Sequence, residues 1–184
     1  IITLDLVGID RGLSQKVCQT LQSKHHLTRE QISICASHTH TGPAVGMNLG
    51  PLHYLVANAR QQQQIDQYTV QLHDRIVSVA DEAMKTLAPA QLHWGSGRCD
   101  FAVNRRENKP YENVPQWRTE GVLKGPVDHD VPVLTVRNEQ GELRSILFGY
   151  ACHATVLGVR QWSGDYPGFA QLELEKRHPD CVAL

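Results

Sequence analysis

Ile32-Ser33-Ile34-Cys35-Ala36-Ser37 reads as a short buried strand, and it runs straight into His38-Thr39-His40-Thr41-Gly42-Pro43. A short apolar run bounded by turn residues has the composition of a strand packed on both faces. Upstream, Ile1-Ile2-Thr3-Leu4-Asp5-Leu6-Val7-Gly8-Ile9 is a second β-rich apolar stretch. Between the two, Gly12 and Ser14 lead into residues where Val17, Cys18 and Leu21 recur at helical spacing. Thr28 with Gln31 has the pattern of a capping box for a short helical turn. Strand, helix and strand in that order make a βαβ unit. The expected fold class is therefore α/β, a mixed β-sheet with packed helices, and its candidate metal site lies at strand C-terminal ends.

Downstream of the histidines, Gly42 to Pro51 is rich in glycine and proline, which favours a loop and permits close approach of backbone to a ligand. The longest helix is predicted from Gln64 to Leu87, where Ile65, Tyr68, Leu72, Ile76, Val79, Ala80, Ala83 and Leu87 recur at three and four residues. Ala88-Pro89-Ala90 ends it, and Ala90 to Ser96 reads as a strand. Residues 104–126 are rich in charge, proline and asparagine and read as a long irregular excursion. Val131 to Arg137 and Leu143 to Cys152 flank Asn138-Glu139-Gln140-Gly141 and should pair antiparallel, with the second strand running into His153. Asp165 is placed to cap a helix with Pro167 in its first turn and Phe169, Leu172 and Leu174 on or near its buried face.

The 184 residues suffice for one domain with a substantial core, and the 41% hydrophobic content is that of a globular protein. Lys and Arg total 18 against 19 Asp and Glu, so no basic field exists to gather phosphates, and nucleic-acid binding has little support. No apolar run is long enough to span a membrane. The chain opens in a strand without a leader and stops at Cys181-Val182-Ala183-Leu184, where another strand would begin. Both ends read as truncated, so residues 1–184 are expected to form part of a larger domain. Cys18, Cys35, Cys99, Cys152 and Cys181 are odd in number and show no CxxC spacing, which argues against a thiolate zinc site and a complete disulfide framework.

Three constellations carry chemistry. Side chains at i and i+2 of an extended chain share a face. His38 and His40 could thus bind zinc together, or one could bind it while the other acts as acid, base or hydrogen-bond donor. The plain alternative is a pair of solvated histidines. His153, in Tyr150-Ala151-Cys152-His153-Ala154-Thr155, again ends an apolar strand and is either a ligand or a structural histidine. Arg105 and Arg106, in Ala102-Val103-Asn104-Arg105-Arg106-Glu107, offer planar forks to a carboxylate or developing oxyanion, or are solvated surface arginines. The remaining histidines, among them His25, His53, His73 and His129, read as solvated.

Ser37 to Pro43, Asn104-Arg105, Gly125-Pro126-Val127-Asp128, Tyr150 to Thr155 and Ser163-Gly164-Asp165-Tyr166-Pro167-Gly168 occur in the order found in the neutral/alkaline non-lysosomal ceramidases, which the chain resembles over nearly its whole length. The resemblance implies a zinc-dependent hydrolase of N-acyl, linear amide bonds, such as ceramide to sphingoid base plus fatty acid. On it, His38 and His153 match zinc ligands, His40 matches an active-site histidine that hydrogen-bonds substrate or a zinc-bound species, and Arg105 matches an arginine on the reacting head group. The family's other ligands, a glutamate and a tyrosine, are expected beyond residue 184. So is its serine nucleophile, in a Gly-Asp-x-Ser-Pro-like segment. A zinc ion held by two imidazoles falls short of the three protein ligands of a catalytic site, so these residues alone should turn over poorly. The implied partner is a small-molecule or lipid amide, and a secreted or periplasmic location is suggested by the resemblance only. One rival is a non-catalytic zinc or ligand-binding module on the same scaffold. Another is a thiol hydrolase through Cys152 and His153, which would be blocked by alkylation and indifferent to chelators.

Overall fold

The computed structural model describes residues 1–184 and divides them into two compact units, Ile1–Ala88 with Ala154–Glu173, and Pro89–His153 with Leu174–Leu184. Together they are mixed α/β, with four α-helices and two sheets.

In the first unit, β1 (Ile2–Leu4) pairs in parallel with β2 (Ile34–Ala36), Ile2 opposite Ile34 and Leu4 opposite Ala36. The crossover between them is α1 (Arg11–His25), so the expected βαβ unit is present. Both strands are shorter than their apolar runs. The polar Asp5 follows β1, and Leu6 turns into the core rather than continuing a ladder. Helix α1 starts where Asp10 accepts the Leu13 N–H at 2.7 Å, satisfying a backbone donor that no helical carbonyl reaches. It stops at His26, whose left-handed conformation (φ 57°) returns its N–H to the Gln22 carbonyl. The predicted capping box of Thr28 and Gln31 forms around a 3-10 turn at Arg29–Gln31.

Helix α2 (Ala59–Lys85) begins well before the predicted Gln64, because Asn58 and Gln61 make a second capping box ahead of a glutamine run that carries no apolar period. Leu13, Val17, Cys18 and Leu21 of α1 meet Leu72 and Ile76 of α2, and Leu6, Ile32 and Val45 complete the core. Fully burying a Leu, Ile or Val stabilises a fold by about 1.5–3 kcal/mol, so this cluster outweighs the short two-stranded ladder as the source of order.

The second unit is a four-stranded sheet ordered β3-β4-β5-β6, made of β3 (Ala90–Arg98), β4 (Asp130–Asn138), β5 (Leu143–Phe148) and β6 (Val182–Ala183). The first three strands run antiparallel and β6 joins β5 in parallel, which makes this the mixed sheet. Gly141 (φ 81°) supplies the left-handed residue of the β4–β5 turn.

Three expectations need correction here. The hairpin's second strand ends at Phe148 rather than Cys152, so Gly149 to Cys152 separate it from His153. The segment 104–126 is not wholly irregular: α3 (Val114–Glu120) lies within it, with Pro115 in its first turn and Gly121 closing it at φ 69°. Helix α4 (Asp165–Arg177) does start at Asp165, but Phe169 and Leu172 are exposed, and the buried positions of its first turn are Asp165 and Gly168. No helix is long and apolar enough to cross a membrane.

Candidate metal centre

The chain leaves β2 at Ala36, and the Ser37 N–H still reaches the Leu4 carbonyl at 3.0 Å. At His38 the backbone turns into the left-handed region (φ 61°), a conformation that non-glycine residues seldom hold outside constrained sites. The histidine pair is therefore not an extended i, i+2 pair, as its spacing suggests. What brings the rings together is burial of the residues between and after them. Thr39 is fully buried and Thr41 nearly so, and their hydroxyls donate to the Ser163 carbonyl at 2.9 and 2.8 Å. His38 and His40 are left facing outward, their ring centroids 5.1 Å apart and the planes 81° from parallel.

Nδ1 of His38 lies 2.6 Å from the carbonyl oxygen of Val7. A carbonyl only accepts, so Nδ1 carries a proton, and in the neutral ring this leaves the lone pair on Nε2. Ligating histidines commonly have this arrangement, since it orients the ring and raises its basicity. Gly42 allows the turn to sit this close to β1: a Cβ there would stand 2.6 Å from the carbonyl oxygen of Asp5.

His153 is the last residue of the second unit and is bonded to Ala154, which is almost fully buried in the first. The imidazole nitrogens of His38, His40 and His153 all lie within 4.8 Å of one another, a group that could hold a metal ion. Ahead of His153, the Tyr150 hydroxyl donates to the Cys99 carbonyl at 2.8 Å and accepts the Ala102 N–H at 3.0 Å. Burial raises the pKa of Tyr150, which keeps that hydroxyl a donor.

Arg105 is exposed, in a turn that Asn104 closes by accepting the Arg106 and Glu107 N–H groups. Asn108, 2% exposed, braces the same turn through the Asn104 and Lys124 carbonyls. Arg105 is not one of the three residues in the histidine group.

Two clefts in the first unit share Trp162, and one of them is lined by His40. One, of about 470 Å³, is lined by His40, Thr41, Gly42, Val159 and Trp162. The other, of about 900 Å³, is lined mainly by apolar groups, including Pro43, Val56, Ile65 and Trp162, with His53, Gln61 and Tyr68 as polar members. Trp162 belongs to both, and 78% of its surface is exposed. Sequence reasoning overlooked Trp162, since a lone tryptophan in a loop carries no pattern. The expectation that the other histidines are solvated fails at several of them. His25 bonds Asp81, His129 bonds the Cys99 carbonyl, and Nδ1 of His53 is buried without a partner beside the larger cleft.

Residues 1–182 match the family described as neutral/alkaline non-lysosomal ceramidase, N-terminal. The chain belongs to that family. Among solved structures, the neutral ceramidase of Pseudomonas aeruginosa superposes with a TM-score of 0.69 at 23% identity, covering 98% of this chain and 29% of that one. A ceramidase complexed with C2 superposes at 0.68, also with 23% identity, covering 98% of this chain and 28% of that one. These likenesses establish a shared fold, and the chain spans less than a third of either structure's length. In this ceramidase-family chain the histidine group, rather than any thiolate or carboxylate cluster, supplies the donors suited to a metal.

Proposed function

We propose that the chain forms the zinc-holding part of a ceramidase-like hydrolase that cleaves N-acyl, linear amide bonds, such as that of ceramide into a sphingoid base and a fatty acid. The observation carrying this reading is the group of His38, His40 and His153 in a chain of this family. Neutral imidazoles are preferred zinc donors, and the carbonyl behind His38 Nδ1 suits a ligand that binds through Nε2.

His38 and His153 are the proposed ligands. His40 is proposed to hydrogen-bond the substrate or a zinc-bound species, and Arg105 to meet the negative charge that develops on the carbonyl oxygen. Bound zinc would supply Lewis acidity toward the amide carbonyl and lower the pKa of a group bound to it. The apolar cleft that shares Trp162 with the His40 cleft suits the hydrocarbon part of a lipid amide, while His53 and Gln61 offer polar contacts for orientation.

The test is the zinc content of the purified chain after dialysis, alongside that of His38→Ala and His153→Ala. Stoichiometric zinc in the parent and its loss in both variants are expected. Zinc retained in both overturns the reading.

A second reading is favoured by the proximity of all three rings: a non-catalytic zinc module in which His40 is the third ligand. His40→Ala separates the two. The hydrolase reading expects zinc to stay and turnover of a fluorescent N-acyl sphingosine by the family protein carrying this domain to fall. The module reading expects the zinc to leave.

A further inference from the structure

Asp165 is fully buried, although nothing in its sequence context marks it as more than a helix cap. Its backbone is left-handed (φ 54°), and its carboxylate accepts three main-chain N–H groups. These come from Val156 at 3.2 Å, Leu157 at 2.8 Å and Tyr166 at 2.7 Å. A buried carboxylate is costly unless its lone pairs are taken up, and charge-assisted bonds to N–H groups are among the stronger ones available. The N–H of Asp165 in turn donates to the Ser163 hydroxyl at 2.9 Å. Ser163 is the residue whose carbonyl takes both hydroxyls of Thr39 and Thr41, and its N–H donates to the Thr41 carbonyl at 3.2 Å.

One continuous set of hydrogen bonds thus joins the backbone that carries His38 and His40 to Val156 and Leu157, three and four residues after His153. We propose that Asp165 is a positioning residue: by clasping Val156 and Leu157 while bonded through Ser163 to Thr39 and Thr41, it preorganises the three imidazoles for a single cation. The inference rests on the metal-site reading above. It assigns Asp165 no contact with metal or substrate. Gly164, between Ser163 and Asp165, packs against Asp5, where a Cβ would stand 2.5 Å from a carboxylate oxygen.

Asp165→Asn isolates the effect. Asparagine tolerates the left-handed backbone as aspartate does, so little strain is added. Its amide, however, keeps a single acceptor oxygen and turns an NH2 toward groups that are themselves donors. The experiment titrates the 184-residue chain with Zn2+ by calorimetry and with Co2+ by visible absorption, comparing parent, Asp165→Asn and Ser163→Ala. Outer-shell changes of this kind typically weaken metal binding about 10–100-fold, and that loss, with a changed Co2+ d–d band, is expected for Asp165→Asn. Ser163→Ala removes one hydrogen bond and should weaken binding by roughly 3–10-fold, which keeps the proposal testable if the asparagine variant does not fold. Far-UV circular dichroism of the metal-free folded variants should match the parent. Parent-like affinity and Co2+ spectrum in both variants would overturn the positioning role alone. A parent chain that binds neither ion overturns the metal-site reading instead.

Discussion

Nδ1 of His38 donates to the main-chain carbonyl of Val7 at 2.6 Å, so β1's continuation, and not the metal, sets the tautomer of the first proposed ligand. The ring is held ready before any cation arrives, which lowers the reorganisation that binding would otherwise require. Long-range 15N–1H correlation spectra of the metal-free chain should show His38 with its proton on Nδ1. A spectrum with the proton on Nε2 would contradict this arrangement.

Gly42 lies against backbone, which cannot swing aside as a flexible side chain would. The 2.6 Å separation between its virtual Cβ and the Asp5 carbonyl means that Gly42→Ala must push the histidine turn away from β1. Overpacking of this kind typically costs about 1–3 kcal/mol. Urea unfolding should show that loss, and zinc affinity should fall with it, since the displaced turn carries both His38 and His40. Unchanged stability together with unchanged affinity would refute the close-approach argument.

Asp81 on α2 is hydrogen-bonded to Lys24 and His25 of α1. Those partners, Lys24 first, hold its pKa below the ordinary carboxylate value. A depressed folded-state pKa contributes stability above the unfolded value, about 3.9, and loses it as pH falls through the folded value. Asp81→Asn should therefore lower Tm near neutral pH, and the gap to the parent should close as the pH falls through the depressed folded-state value. A gap of the same size at both extremes would show that the pairing is not the cause.

The readings that proved accurate share a property: each rests on neighbours in sequence. The capping box of Thr28 and Gln31, the apolar period of α2 and the turn at Gly141 are decided within a few residues, and the structure contains all three. The βαβ order followed from the same kind of local reading, and even the final Cys181-Val182-Ala183 run finds a strand partner in β5. The misreadings were about where such signals stop. Ile1 to Ile9 has strand composition throughout, yet only Ile2–Leu4 ladder, because only they face β2. Residues 149–152 continue the apolar character of β5, yet the strand ends at Phe148.

By itself, then, the sequence determined which residues carry imidazoles, the βαβ order of the first unit, and membership of a family whose motifs follow one another in order. Only the tertiary structure decided that His38 adopts a left-handed turn, that Thr39 and Thr41 both seek the Ser163 carbonyl, and that Asp165 gathers the N–H groups that follow His153. The physical reason is sequence distance. Thr39 and Ser163 are 124 positions apart, and a hydrogen bond over that span leaves no periodicity or composition to read, because it exists only once the core has brought both segments to the same place.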